Sequence, residues 1–134
     1  MELTLANVGW TLGFTATGLV LMFLGLWIYD VLVPFRLFDE VHKGNEGVAW
    51  LVAGFLISTG IILGDAFRHN YALTTAVVYG IIGIALNYVG YFAWEFATPK
   101  WSLSDAITKG STAAGKVMFG ISIAIGLIIS GSMS

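Results

Sequence analysis

Four long apolar stretches, separated by short polar segments, make up most of the sequence. They cover about residues 8–33, 47–63, 73–97 and 113–129. A hydrocarbon core of roughly 30 Å is crossed by about 20 residues of α-helix, and backbone groups left unpaired in lipid are costly. The pattern therefore predicts an all-α membrane protein, with four transmembrane helices in a single membrane domain spanning residues 1–134.

Two shorter segments, residues 35–45 and 100–111, each join a pair of these stretches and mix charged with apolar side chains. Their apolar residues recur at i,i+4 spacing: Leu37 with Val41, and Leu103 with Ile107. Residues so spaced share one face of a helix. We expect each segment to contain a short amphipathic helix whose apolar face rests on the lipid boundary.

Helix-ending and helix-starting residues bracket these short segments. Gly44 and Gly110 suit the left-handed residue that ends a helix, and Asn45 and Ser111 are good caps for the transmembrane helix that follows. The prolines that end the preceding transmembrane helices are Pro34 and Pro99.

The two halves of the chain carry the same residues in the same order. At a spacing of 65 residues the pairs are Gly18 with Gly83, Gly25 with Gly90, Asp30 with Glu95, and Pro34 with Pro99. At a spacing of 66 they are Leu37 with Leu103, Asp39 with Asp105, Lys43 with Lys109, Gly44 with Gly110, Gly54 with Gly120, and Gly60 with Gly126. We interpret this as a tandem duplication of a helix pair, with internal repeats at about 8–67 and 73–133. Two crossings per repeat give both repeats the same orientation in the membrane.

Composition and charge agree with a membrane protein and narrow its chemistry. The chain is 57% hydrophobic and 10% charged, with a mean hydropathy of +0.87. It has no cysteine, which excludes disulfides and thiolate metal sites, and its net charge of −2 does not favour nucleic-acid binding. Five basic residues lie in or beside the two short segments, at positions 36, 43, 100, 109 and 116, against Arg68 alone between the repeats. The positive-inside rule therefore predicts cytoplasmic short segments and both termini outside the cytoplasm.

Asp30 and Glu95 are the acids nearest to the membrane interior. Each lies near the predicted cytoplasmic end of its helix, at equivalent positions of the two repeats. The simpler interpretation is an interfacial carboxylate that reaches water or pairs with a nearby base. The alternative is a cation-attracting ring at one mouth of an oligomeric pore.

Asn87 is the strongly polar residue closest to a helix midpoint, so its amide needs a partner. We expect it to hold helices together rather than to bind a ligand, with partners among Ser58, Thr59 and Ser122. Small residues at four-residue spacing predict close helix packing within a chain or between chains. The glycines concerned are Gly9, Gly13, Gly54, Gly120 and Gly126.

The sequence predicts no enzyme site. It shows no nucleophile with a base, no glycine-rich phosphate loop and no ligand cluster on one membrane side, so we expect no catalytic residue, no cofactor and no bound metal.

The junctions between segments resemble those of the YjfL-like family of bacterial inner-membrane proteins. The likeness rests on residues 43–49, Lys-Gly-Asn-Glu-Gly-Val-Ala, on Pro34 and Pro99, and on residues 111–115, Ser-Thr-Ala-Ala-Gly. It covers almost the whole chain. The first copy departs from the family's Asn-Thr-Ala-Ala pattern after its asparagine, and Ser111 replaces the second asparagine. The resemblance implies a duplicated domain of unknown function in the bacterial plasma membrane and an association with envelope-stress systems of the phage-shock type.

Two hypotheses for the function follow. In the first, a non-catalytic membrane module recruits a peripheral cytoplasmic partner, or organises lipid, through the two short segments. The residues that would form this surface are Leu37, Phe38, Val41, Trp101, Leu103 and Ile107. In the second, the chain forms a homo-oligomeric cation channel with Asp30 and Glu95 near its cytoplasmic mouth. In both, the lipid bilayer is the surrounding partner.

Overall fold

A computed structural model describes residues 4–33, 36–69, 72–97 and 103–132, all of them helices or the short turns beside them. The helices are α1 (Leu5–Leu32), α2 (Leu37–His42), α3 (Glu46–His69), α4 (Leu73–Ala97), α5 (Leu103–Thr108) and α6 (Thr112–Ser132). Helices α1, α3, α4 and α6 are long and apolar enough to cross a membrane. The predicted all-helical architecture with four such helices is therefore confirmed. Pro34 and Pro99 lie outside the described residues.

The ends of the long helices follow from local chemistry. The side chain of Thr4 caps α1 by accepting a hydrogen bond from the Asn7 amide. Helix α3 continues to His69, beyond the end predicted at residue 63. Polar contacts within the last turn stabilise this extension. Oδ1 of Asp65 lies 3.3 Å from Nη1 of Arg68, at i,i+3 spacing, and 3.4 Å from Nδ1 of His69, at i,i+4 spacing. The polar residues that follow the predicted span thus form the last turn of the helix.

Side-chain contacts define the direction of each long helix. Along α3, residues 47, 54 and 58 meet residues 115, 122 and 126 of α6 in the same order, so these two helices run parallel. Helix α4 is antiparallel to both, because Gly80 and Gly83 meet Leu63 and Ile62, while Gly90 meets Ile125. Helix α1 is antiparallel to α3, and so runs in the same direction as α4.

The backbones of α3 and α6 approach each other closely. A Cβ atom added at Gly115 would lie 2.7 Å from the Cα atom of Gly47, and one at Gly54 would lie 2.8 Å from the Cα atom of Phe119. Only glycine permits backbones to approach this closely, and such approach drives helix association where lipid removes the hydrophobic force between helices. Helices α3, α4 and α6 therefore form the tightly packed part of the molecule.

Helix α1 packs less closely than the other long helices. Its buried residues are Gly25, Leu26 and Tyr29, all in its second half. Nearer its start, an open groove of about 530 Å³ separates it from α3, with Thr15, Gly18, Gly60 and Gly64 in its lining. A second groove of about 330 Å³, almost wholly apolar, lies between α1 and α4.

Candidate functional site

The α2–α3 junction is a fixed turn. Gly44 has φ of +87° and ends α2, where its amide donates to the Val41 carbonyl and the Asn45 amide donates to the Glu40 carbonyl. Asn45 then caps α3, since its Oδ1 accepts a hydrogen bond of 3.1 Å from the amide of Val48. This pair of backbone bonds across a left-handed glycine is the Schellman arrangement.

The α5–α6 junction repeats the same bonds. Gly110 has φ of +88°, and its backbone amide donates to the Ile107 carbonyl. The backbone amide of Ser111 donates to the Ala106 carbonyl. Ser111 caps α6 through a 3.2 Å bond from the Ala114 amide to its Oγ. Asn45 and Ser111 are therefore helix caps, whose own oxygens are engaged by the backbone.

Asp30 fastens α2 to the end of α1. Its Oδ1 accepts a hydrogen bond of 2.6 Å from the amide of Leu37, the first residue of α2. The Leu37 side chain is completely buried, as is Ile107 of α5. The expectation that these two residues rest on the lipid boundary is therefore wrong: each anchors its short helix to the protein core instead.

The outward side of α2 is apolar as well as charged. Phe38 is 55% exposed and Val41 is 39% exposed, beside the exposed Asp39, His42 and Lys43. Of the other residues predicted for this surface, Trp101 lies outside the described residues, and the side chain of Leu103 is not among those described. What the structure presents at this end is thus a short helix held rigidly by Leu37, with Phe38 and Val41 facing outward.

Direct contacts join the α2–α3 junction to the α5–α6 junction. The hydroxyl of Thr112 donates to Glu46 over 3.1 Å, one turn from the backbone contact between Gly47 and Gly115. The ammonium group of Lys116 lies 5.6 Å from the centre of the Trp50 ring. The two junctions are therefore parts of one end of the molecule.

An aromatic cluster lies behind this end. The ring of Tyr29 is 4.6 Å from that of Phe55 and 5.3 Å from that of Tyr91, and the hydroxyl of Tyr88 donates to the Gly25 carbonyl over 2.5 Å. Glu95 lies close enough to Tyr29 for their charges to interact. Its Oε1 is buried and has no hydrogen-bond partner in the described part of the chain. Asp30 and Glu95 therefore differ, because only Asp30 has an observed structural role.

The predicted polar residues are buried at the centre of the α3, α4 and α6 bundle. Ser58, Thr59, Asn87 and Ser122 all have little or no exposed surface. Gly83 packs on Ile62, and Asn87 and Thr59 lie one turn further along their antiparallel helices, so they share one level. Within the described residues, however, Ser58 Oγ, Thr59 Oγ1 and Asn87 Nδ2 have no hydrogen-bond partner.

The predicted glycine contacts fall into two groups. Gly54 and Gly126 lie in the α3–α6 interface, where Gly126 faces Ser58. A Cβ atom added at Gly9, Gly13 or Gly120 would meet no other atom within 4 Å in the described chain.

Sequence reasoning missed several contributors to packing. The close backbone contact between Gly47 and Gly115 was not predicted, because a glycine beside a helix start resembles ordinary capping. The buried position of Asp65 was also missed, although its spacing to Arg68 and His69 is the signal of a charged helical turn.

Comparison with known proteins identifies relatives but no activity. The family described as Domain of Unknown Function (DUF350) matches residues 2–133. The chain is similar to the UPF0719 transmembrane protein YshE of Bacillus subtilis (strain 168), at 21% identity over 116 residues that cover 87% of each chain. It is also similar to a UPF0719 transmembrane protein of Aquifex aeolicus (strain VF5), at 22% identity over 118 residues. That match covers 84% of this chain but only 44% of the Aquifex protein. No solved structure matches the chain.

Proposed function

Because the chain belongs to the DUF350 family of transmembrane proteins, whose function is unknown, we propose a function from its own residues. It is a non-catalytic protein of the bacterial plasma membrane that recruits a peripheral cytoplasmic partner through α2 and α5. The observation that carries this proposal is the rigid mounting of α2, which turns Phe38 and Val41 outward while Leu37 and Asp30 hold the helix in place.

The proposal includes a duplicated origin for the two helix pairs. Its support is the recurrence, 66 residues apart, of the positive-φ glycine, the two backbone bonds and the side-chain cap at each junction. The parallel course of α3 and α6 also agrees with two repeats in one orientation. A duplicated unit is the feature that the YjfL-like resemblance implies, and that more specific kinship is part of the same proposal.

The orientation rests on charge. Arg36, Lys43, Lys109 and Lys116 lie at the end of the molecule that carries α2 and α5, whereas Arg68 lies at the other end of α3. Basic residues are retained on the cytoplasmic side, so both termini are outside the cytoplasm. The partner is then a cytoplasmic protein at the membrane surface, and the resemblance points to the envelope-stress systems of the phage-shock type.

A photo-crosslinking amino acid at position 38, compared with one at Leu5, tests the recruitment. Leu5 is 94% exposed and lies at the start of α1, at the end of the molecule opposite to α2, so it serves as the control. We expect a protein adduct from position 38 in intact cells that Val41→Ser weakens and that position 5 does not produce. Lipid adducts alone at position 38, or the same protein adduct from both positions, would contradict recruitment.

The homo-oligomeric cation channel is a second candidate because Glu95 has a buried, unpartnered oxygen near Tyr29. The structure weakens the original argument, since Asp30 is engaged with the Leu37 amide and neither described groove is lined by Asp30 or Glu95. The test is cation flux into proteoliposomes. Cation flux that is abolished by Glu95→Gln, in a variant that still folds, would favour the channel. Absence of flux in the unaltered protein would exclude the channel.

A further inference from the structure

The groove between α1 and α3 has an equivalent elsewhere in the molecule that is filled. Thr15, Gly18 and Gly60 line the open groove. Their counterparts, at spacings of 65, 65 and 66, are Gly80, Gly83 and Gly126, which lie on α4 and α6.

Helix α3 occupies that equivalent groove. A Cβ atom added at Gly80 would meet Leu63, one at Gly83 would meet Ile62, and one at Gly126 would meet Ser58. In the open groove, by contrast, a Cβ atom added at Gly60 would meet no atom of the described residues within 4 Å, and one at Gly18 would meet the ring of Phe67, which belongs to α3 and lines the same groove. The two grooves therefore have linings at corresponding positions, and in the described part of the chain a third helix fills only the one between α4 and α6.

Two of the three occupying residues have counterparts on the outward face of α6. The third, Leu63, corresponds to Ile129, which is buried and lies against Gly83. Ser58 and Ile62 correspond, at a spacing of 66, to Ala124 and Ile128. Ala124 is exposed and Ile128 is 68% exposed. A Cβ atom added at Gly120, the counterpart of Gly54, would likewise meet nothing within 4 Å in the described part of the chain. One chain thus carries both an unfilled groove and, on another helix, the face that fits it.

We propose that α6 of one copy packs into the α1–α3 groove of a second copy, repeating between chains the interface that joins α3 to α6 within a chain. The contact places Ala124 of one copy against Gly60 of the next, as Ser58 faces Gly126 within the chain. Because α3 and α6 are parallel, both copies have the same orientation in the membrane. The contact is head-to-tail, so a rotation that closes produces a ring.

This inference rests on the repeat register proposed above but not on partner recruitment by α2.

Cysteine crosslinking tests the contact directly, because the chain has no cysteine of its own. Gly60→Cys and Ala124→Cys are placed in two differently tagged copies and expressed together at low level. We expect oxidation in membranes to join the two tags, because a disulfide forms only between closely placed backbones. The control pair is Ala124→Cys with Val89→Cys: Val89 is 61% exposed on α4 and precedes Gly90, which packs on Ile125, so it matches the depth of Ala124.

A blocking substitution guards against crosslinks from random collision. Gly120→Phe adds a ring where one copy has open space, so the fold and its thermal unfolding are retained. In the inferred interface the ring overpacks the groove, and we expect the yield of the 60–124 crosslink to fall about tenfold. A 60–124 yield no higher than that of the control pair, or one unaffected by Gly120→Phe, would overturn the inference.

Discussion

Replacing Gly115 by alanine should separate α3 from α6 and destabilise the protein. The added Cβ atom would lie 2.5 Å from the Gly47 carbonyl oxygen and 2.7 Å from its Cα atom. Both are backbone atoms, so no side chain can rotate away to make room. The two helices must therefore move apart at the point where the junctions are joined by the Thr112–Glu46 hydrogen bond.

The size of the effect follows from two opposed terms. Overpacking a well-packed core costs about 1–3 kcal/mol. Replacing a helical glycine by alanine restores about 0.5–1 kcal/mol, because the unfolded chain loses freedom. We expect Gly115→Ala to lower the free energy of unfolding by about 1–2 kcal/mol after both terms are combined.

Gly13→Ala is the matched control. It makes the same chemical change within a long helix, but its Cβ atom would meet nothing within 4 Å among the described residues. The measurement is unfolding in mixed micelles with increasing SDS, followed by far-UV circular dichroism. The gap between the two variants should be about 2 kcal/mol, with Gly13→Ala equal to or more stable than the unaltered chain. Equal stability of both variants would refute the close backbone contact.

Three further predictions address the junctions and the buried polar residues. Asp30→Ala should cost about 1.5–3 kcal/mol and speed hydrogen exchange at the Leu37 amide, whereas Asp30→Asn keeps an acceptor and should have a smaller effect; unchanged exchange would contradict the hydrogen bond. Gly44→Ala should lower the free energy of unfolding by about 1–2 kcal/mol in the same assay, because the φ of +87° at this position is unfavourable for alanine. Gly64→Ala is the control, since its Cβ atom would meet nothing within 4 Å among the described residues, and an equal effect of the two substitutions would contradict strain at the turn. Thr59→Val should leave stability unchanged or raise it by up to about 1 kcal/mol, since the hydroxyl has no partner among the described residues; a clear loss would reveal one, such as a bound water.

Hydropathy predicts the long helices well, because lipid imposes a minimum length and an apolar surface on each of them. It places the end of α3 too early, because a hydropathy scale scores Asp65, Arg68 and His69 as polar residues typical of loops. The scale takes no account of the contacts that these three side chains make with one another. The short helices α2 and α5 were also predicted at their observed places. Their burial was not, because i,i+4 spacing identifies an apolar face without saying whether lipid or protein covers it.

Candidate site residues were predictable to the extent that their roles are local. Asn45 and Ser111 cap the helices that follow them, as expected from residue type and position. The role of Asp30 depends on the Leu37 amide across a turn, and sequence spacing does not define that distance. The equivalence of Asp30 and Glu95 suggested a shared function, but equivalent positions acquire different partners when their surroundings differ.

Glycine on an open helix face is the strongest reason to expect a neighbouring protein there. Lipid chains adapt to any side chain, so a lipid-facing position gains nothing from glycine while the helix loses about 1 kcal/mol relative to alanine. In a helix interface, by contrast, glycine permits the close approach on which packing in membranes depends. A Cβ atom added at Gly60 or Gly120 would meet no atom within 4 Å among the described residues, yet their counterparts, Gly126 and Gly54, lie in the α3–α6 interface. Lipid alone gives no reason for glycine at these two positions, whereas the proposed packing of a second copy against them does.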